Sequence, residues 1–291
     1  MSYKLNEETK LALVALKVKD IDKEVDFFKS ILGLDVMREE NGMAFLGVKE
    51  AKRTFICLLE KEDGMPSETS HNGLYHFGIL LPERRDLSAL YQHLLKMDYP
   101  IVGMSDLGHS EVIYLKDPEF NGIKISWDKP KEEWDYHTEG TMDSVLGRLD
   151  TQSLLTEATE SFSKLPLEAG LGHVHLNVAD LEASQQFYTD VLGFKLTSAA
   201  FPSLRYLAAG DYHHHIAINT FNQINVEDQD DENFGLDYLS FKLATETELV
   251  ALQEHLIQLN QHFFYNKGKQ ILEIDDPNGI HVWFHVKDVK K

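Results

Sequence analysis

Fourteen histidines are spread along the chain, and several fall in runs where apolar and polar residues alternate. Imidazole ligates transition metals and moves protons near neutral pH, so histidines sharing one strand face are the first candidates for chemistry. In His173-Val-His175-Leu-Asn177-Val, the residues Val174, Leu176 and Val178 set the buried phase, and His173, His175 and Asn177 turn to the opposite face. The same alternation buries Tyr75, Phe77 and Ile79 and leaves His76 on the opposite face. In His213-His214-His215-Ile216-Ala217-Ile218-Asn219, Ile216 and Ile218 set the phase. That places His213 and His215 with Ala217 and Asn219 and turns His214 away. By the same parity Lys124 and His281 point away from the helices, each just after a Gly-Ile pair. No glycine-rich phosphate loop, nucleophile elbow or CxxC knuckle accompanies them.

These runs belong to a repeat. Leu16–Leu34, containing Asp20, Phe27, Phe28 and Leu32-Gly33, returns without a gap at Leu176–Phe194, containing Asp180, Phe187, Tyr188 and Leu192-Gly193. Asp117-Pro118…Gly122-Ile123 returns as Asp276-Pro277…Gly279-Ile280. Each half divides again into a strand, a helix and further strands. Asp20 and Asp180 are helix caps, Val25, Phe28, Ile31 and Leu32 form an apolar stripe, and Gly33 and Gly193 end the helices. The pattern predicts an α+β chain of four β-α-β-β-β modules, at 10–62, 73–128, 171–222 and 234–286. The two halves are domains at 1–128 and 171–291, joined by a connector over 129–170 with a helical stretch near 153–162.

The composition, 43% hydrophobic and 26% charged, is that of a soluble globular protein. No apolar run approaches the roughly 20 residues that cross a bilayer, and the amino-terminal stretch lacks signal-peptide features. One cysteine, Cys57, excludes an intrachain disulfide and fits a reducing compartment, so a cytoplasmic location is expected. A formal charge of −20, from 48 acidic and 28 basic residues, repels phosphate backbones and argues against nucleic acid as a partner. No membrane partner is expected, and a homo-oligomer is compatible with the sequence. The run Glu227–Glu232 lacks the glycine and ligand spacing of a calcium loop and reads as a solvated loop.

The patterns His173-x-x-Leu176-x-Val178-x-Asp180-Leu181, Phe187-Tyr188-x-x-Val191-Leu192-Gly193-Phe194 and Asp-Pro-x(2–3)-Gly-Ile resemble the vicinal oxygen chelate superfamily, which includes glyoxalases, bleomycin-resistance proteins and extradiol dioxygenases. Four modules in one chain, with Gly73-Leu-Tyr-His-Phe77 and Asp211-Tyr-His-His-His-Ile216, resemble Bacillus-type catechol 2,3-dioxygenases. The resemblance implies modules paired into glyoxalase-like domains with cup-shaped sheets. It also implies Fe(II), or Mn(II), held by two histidines and a glutamate. His76 and His173 stand at the histidine positions and converge if modules two and three pair. The glutamate position is Lys124, with Glu119 in the preceding turn as a stand-in carboxylate. Pairing of modules three and four would instead gather His173, Tyr238 and His281, whereas modules one and four carry Leu13 at the histidine position. The resemblance makes His215 the acid–base residue and Tyr265 a residue that orients a substrate hydroxyl, with Lys124, His175, His213 and His281 lining the pocket.

Three functions follow from this reading. One is an extradiol-type dioxygenase acting on a catecholic or hydroquinone-type aromatic. The second is a metal-free binding protein for a small aromatic or antibiotic-like ligand, with Lys124 paired to an anionic group. The third is another metal-assisted isomerase or lyase. A protonated lysine offers a metal no lone pair, so position 124 separates the readings.

Overall fold

The computed structural model describes residues 3–64, 72–135, 141, 145–221 and 233–287; the acidic run at 227–232 lies outside them. The four modules form as the repeat predicts. Module one is β1 (Lys10–Val18), α1 (Ile21–Ser30), β2 (Asp35–Glu40), β3 (Met43–Val48) and β4 (Arg53–Glu60). Module two is β5 (Gly73–Leu81), α2 (Arg84–Lys96), β6 (Gly103–Asp106), β7 (Ser110–Lys116) and β8 (Gly122–Asp128). The connector carries α3 (Thr151–Glu157). Module three is β9 (Gly170–Asn177), α4 (Leu181–Gln186), running into a π-turn at Phe187–Val191, then β10 (Lys195–Ser198), β11 (Leu204–Ala208) and β12 (Ile216–Asn219). Module four is β13 (Gly235–Lys242), α5 (Glu246–Gln258), β14 (Phe264–Asn266), β15 (Ile271–Asp275) and β16 (His281–His285). No helix among the described residues is long and apolar enough to cross a membrane.

Local chemistry explains the helix boundaries. Asp20 accepts a hydrogen bond from the Lys23 backbone N–H at 3.0 Å, and Asp180 accepts from Glu182 and Ala183. Each carboxylate thereby satisfies amides that a helix start leaves orphaned. Gly33 takes φ +68°, and Leu34 N–H closes on the Phe28 carbonyl at 2.9 Å, a left-handed termination open to glycine at little cost. The stripe residues Val25, Phe28, Ile31 and Leu32 are buried, so α1 is held by the sheet it covers.

The eight-stranded sheets cut across the sequence halves. One has the order β10-β11-β12-β9-β5-β8-β7-β6 and joins modules two and three; the other, β14-β15-β16-β13-β1-β4-β3-β2, joins modules one and four. The halves 1–128 and 171–291 are therefore units of the repeat, and each lends one module to each sheet. The pairing of modules three and four is not formed. Tyr238 and His281 face each other across β13 and β16, in the sheet that lacks His173. That second sheet's concave side is filled by Leu13, Ala15, Phe45 and Cys57, with Met37, Met43, Leu59 and Tyr238 packed against them.

The Asp-Pro turns fasten the modules together. Asp117 folds its own turn by accepting from the Glu119 and Asn121 amides, an Asx-type turn. Glu119 then accepts from the Lys19 and Asp20 amides of module one at 2.8–2.9 Å. In module four Asp276 accepts from Asn278 and Ile280 amides and from the Tyr188 hydroxyl of module three. Asn278 accepts from the Ala179 amide. Glu119 is thus committed to this latch and does not reach position 124 as a substitute metal ligand.

Glu24 lies under the first latch, fully buried, with no well-formed hydrogen bond to either carboxyl oxygen among the described residues. Burial first, then Asp117 and Glu119, pushes its pKa up to about 9, although the nearby Glu119 amide eases the ionised form. A carboxyl that ionises near 4.5 when unfolded and near 9 when folded costs stability progressively as pH rises between those values. Glu24→Gln is expected to melt at the wild-type temperature at pH 5 and several degrees higher at pH 8.5. Melting curves that run parallel across that range would show that Glu24 is not held protonated.

Candidate metal-binding site

The site is built on the antiparallel seam between β5 and β9. The register runs Leu74↔Leu176, His76↔His175, Phe77↔Val174 and Gly78↔His173, with an irregularity between Leu74 and His76. Tyr75 is the extra residue there, and a bulge resets the side-chain alternation. Tyr75 is consequently not buried under the helices as simple parity expects. It is 42% exposed and touches the rings of His76, His175 and Phe221. Phe77 and Ile79 keep their expected places in the core.

His76 and His173 meet. Their Nε2 atoms are 3.3 Å apart and their rings are nearly perpendicular, at 89°. Burial is the main cause that holds both pKa values well below the ordinary histidine value, with neighbouring His175 and Lys124 adding to it. Both imidazoles are therefore neutral, as ligation requires. Two imidazole nitrogens bound to one ion at about 2.0–2.1 Å sit roughly 3.0–3.4 Å apart, so this pair fits two ligands of a divalent metal. Gly78 makes the fit sterically feasible: a Cβ there would collide with the His173 imidazole.

The third position departs from a two-histidine, one-carboxylate set. Lys124 on β8 is buried at 3% exposure and has no ion-pair partner within 4 Å among the described residues. Burial pushes its pKa down to about 8, against the pull of Asp128. His175 is buried beside His76, with ring centroids 4.8 Å apart. Its Nε2 is engaged by the Asn219 amide at 2.9 Å, and burial lowers its pKa to about 3.

The three-histidine run is placed differently from its expected phase. His213 and His215 are bends on either side of His214 just before β12, and strand parity is not kept across such a break in regular pairing. His214, expected to turn away, contacts His173 at 4.4 Å and stacks on Tyr206 at 4.3 Å. His213 lies with His214, their Nδ1 atoms 2.6 Å apart. His215 lies elsewhere: its Nδ1 accepts from the Ala209 amide at 3.2 Å and its ring rests on Tyr212. Tyr265 and His281 belong to the other sheet. Tyr265 pairs with Leu272 near its edge, and His281 Nδ1 lies 2.6 Å from Asp275. Sequence reasoning missed His109 and Asp128. His109 is buried against His213 at 4.3 Å, and a lone histidine in Leu-Gly-His-Ser carried no pattern that could flag it. Asp128 lies 3.1 Å from His213 Nε2 and accepts from the Tyr212 hydroxyl at 2.7 Å. Burial would raise its pKa, but His213 and Tyr212 outweigh it and hold Asp128 ionised.

Above this floor opens a cavity of about 1780 Å³ that reaches His76, His175, His214 and Lys124. Its rim includes the exposed apolar side chains Tyr75, Val102, Phe120, Leu146, Phe201 and Phe221. A concave, largely apolar space with a few convergent polar groups is the usual form of a small-molecule site.

Curled β-α-β-β-β sheets with paired histidines on the first strands define a glyoxalase-type fold. The model of the Glyoxalase/Bleomycin resistance protein/Dioxygenase superfamily matches residues 10–125, and that of the CppA C-terminal family matches 170–284. The chain is 34% identical over 248 residues to the catechol-2,3-dioxygenase of Bacillus subtilis (strain 168), covering 84% of this chain and 86% of that one. It belongs to the glyoxalase/bleomycin resistance/dioxygenase superfamily. Among solved structures, the fold is similar to one from Bacillus subtilis (TM-score 0.70, 10% identity, 99% of this chain and 87% of that one). It is also similar to the cppA protein of Streptococcus pneumoniae TIGR4 (TM-score 0.61, 12% identity, 96% and 100%) and glyoxalase I of Zea mays (TM-score 0.58, 15% identity, 96% and 92%).

If Gly78 is the seat of the His173 ring, Gly78→Ala must push that ring off its position. Overpacking a buried site costs about 1–3 kcal/mol, so the variant is expected to unfold at lower denaturant and to lose affinity for a Co(II) probe. Unchanged stability and unchanged Co(II) binding would show that the contact yields freely.

Proposed function

We propose that this chain is an extradiol-type ring-cleaving dioxygenase that binds a catecholic aromatic in the cup of modules two and three, with Fe(II) or Mn(II) held by His76 and His173. The observation that carries the reading is the 3.3 Å approach of the two Nε2 atoms below the cavity. A bound divalent ion would bring adjacent substrate oxygens and dioxygen together and pass electrons between them.

The protein's own residues supply the rest. Apolar and aromatic side chains at the cavity rim suit a ring, and their desolvation favours an aromatic over a sugar or a nucleotide. Lys124, beside the paired histidines, supplies at Nζ either a cation for an ionised substrate oxygen or, as the amine, an acceptor for a hydroxyl proton. Its lowered pKa suits both roles near neutrality. Both atoms of dioxygen enter the product, the carbon–carbon bond beside the hydroxylated carbons breaks, and no external reductant is consumed. His214 replaces His215 as the histidine of the three-residue run that reaches the cavity.

Lys124 also favours a second reading, in which the cup holds an anionic aromatic without metal. Elemental analysis after anaerobic expression with added iron distinguishes the two. Near-stoichiometric iron or manganese, diminished in His76→Ala/His173→Ala, together with a yellow product from catechol and oxygen, is expected of the dioxygenase. A wild-type protein with neither metal nor colour, whose melting temperature still rises with an aromatic acid, would establish the binder instead. Lys124→Glu completes a two-histidine, one-carboxylate set and is expected to tighten Fe(II) by about tenfold or more, equivalent to at least ~1.4 kcal/mol. Chelator competition measures this, and a loss of affinity would mean that the pocket is shaped around the lysine.

A further inference from the structure

We propose that the chain carries a second cation site, adjoining the His76–His173 pair, in which His109, His213 and His214 bind a late first-row divalent ion of the Zn(II) class. One ring nitrogen from each of the three lies within 4.8 Å of the others, and all three residues are buried. Nitrogens on one ion stand about 3.0–3.4 Å apart, so closing the triad takes a side-chain adjustment of about 1 Å.

The Nδ1 atoms of His213 and His214 lie 2.6 Å apart, a spacing that one shared proton bridges and that must widen for both to ligate one ion. Two further features point to an ion. His213 turns its other nitrogen, Nε2, to within 3.1 Å of Asp128 Oδ2, although off the angle of a well-formed hydrogen bond. Asp128 is itself held by the Tyr212 hydroxyl. That carboxylate favours the proton on Nε2 and leaves the Nδ1 lone pair pointing into the triad, the arrangement by which carboxylates orient metal-bound histidines. Finally, neither ring nitrogen of His109 makes a well-formed hydrogen bond among the described residues, at 2% exposure, although the Leu107 backbone lies near enough to ease a protonated ring. A hydrogen bond between His213 and His214 serves those two alone, whereas an ion would engage His109 as well.

The donor set selects the metal. Three imidazoles suit zinc, nickel or copper and disfavour magnesium and calcium, which take oxygen ligands. His214 also lines the large cavity, which provides a path of entry. Asp128 balances part of the ion's charge and acts as a positioning residue.

The test is Zn(II) titration of the chelator-stripped full chain, read by calorimetry and native mass spectrometry, with Co(II) absorption reporting the ligand set. His109→Gln is expected to lose one equivalent of Zn(II). Asp128→Asn should keep that equivalent but weaken it by about 10–100-fold. His76→Ala/His173→Ala should retain it. An unchanged zinc stoichiometry and affinity in His109→Gln overturns the second site. If the ion leaves with His76→Ala/His173→Ala and not with His109→Gln, the second site falls and the proposed dioxygenase centre stands. If it leaves only with His109→Gln, and the double variant loses no metal, the second site stands and the His76–His173 centre falls. Should His109→Gln fail to fold, Asp128→Asn decides, because it preserves every ligand: undiminished affinity there overturns the site.

Discussion

The antiparallel seam between β5 and β9 is the constraint on which the site depends. Among the described residues it is the one strand pairing that joins modules two and three, and its register brings His76 opposite His175 and Gly78 opposite His173. A one-residue slip would send every histidine of the seam to the helix side, where Phe77, Val174 and Leu176 now pack. The bulge at Tyr75 allows an aromatic and a histidine to share the cavity side in succession. The Asp-Pro latches then tie each half's modules to one another, so that sheets built across the halves remain in register. The geometry of two nitrogens therefore rests on main-chain pairing, which is stiffer than any side-chain contact.

The electrostatics of the site follow from its dryness. Burial is the largest cause of depressed basicity in His76, His109, His173, His175, His213, His214 and His215, and each neighbour that took a proton would raise the cost for the next. Neutral imidazoles gathered in this way are stable only if their lone pairs and N–H groups find partners, because unsatisfied buried polar groups are expensive. Asn219 answers His175 and the Ala209 amide answers His215. His76 and His173 meet each other at 3.3 Å, and His213 and His214 at 2.6 Å.

Much of this was legible in the chain. The repeat, the caps at Asp20 and Asp180 and the helix end at Gly33 depend on local chemistry, and all appear where the pattern puts them. His76, His173 and Lys124 come out on one face because alternation holds from His76 to Ile79, along Val174–Leu176 and through β8. What the pattern could not carry was long-range or irregular. Module pairing depends on which strand edges meet. The bulge at Tyr75 and the bends at 213–215 break the alternation used to assign faces, which misplaced His214 and His215. His109 joins the cluster from a loop before β7, through a contact between residues about a hundred positions apart, and no local signal announces such a contact.

The two sheets show what duplication permits. In the sheet of modules one and four, Leu13 occupies the place that His173 or His76 holds in the other, and Phe45, Cys57 and Ala15 close over it. That concave side is largely apolar core, with Lys17 buried beside Asp237 at 3.9 Å as its charged pair. The neutral imidazoles and Lys124 are gathered in the other cup. Lys124 fits this division. A carboxylate at that position would bring a second anion into a region where Asp128 is already ionised and paired with His213 and Tyr212. The lysine supplies the opposite charge, and Lys124 and Asp128 each ease the other's ionised form against the cost of burial.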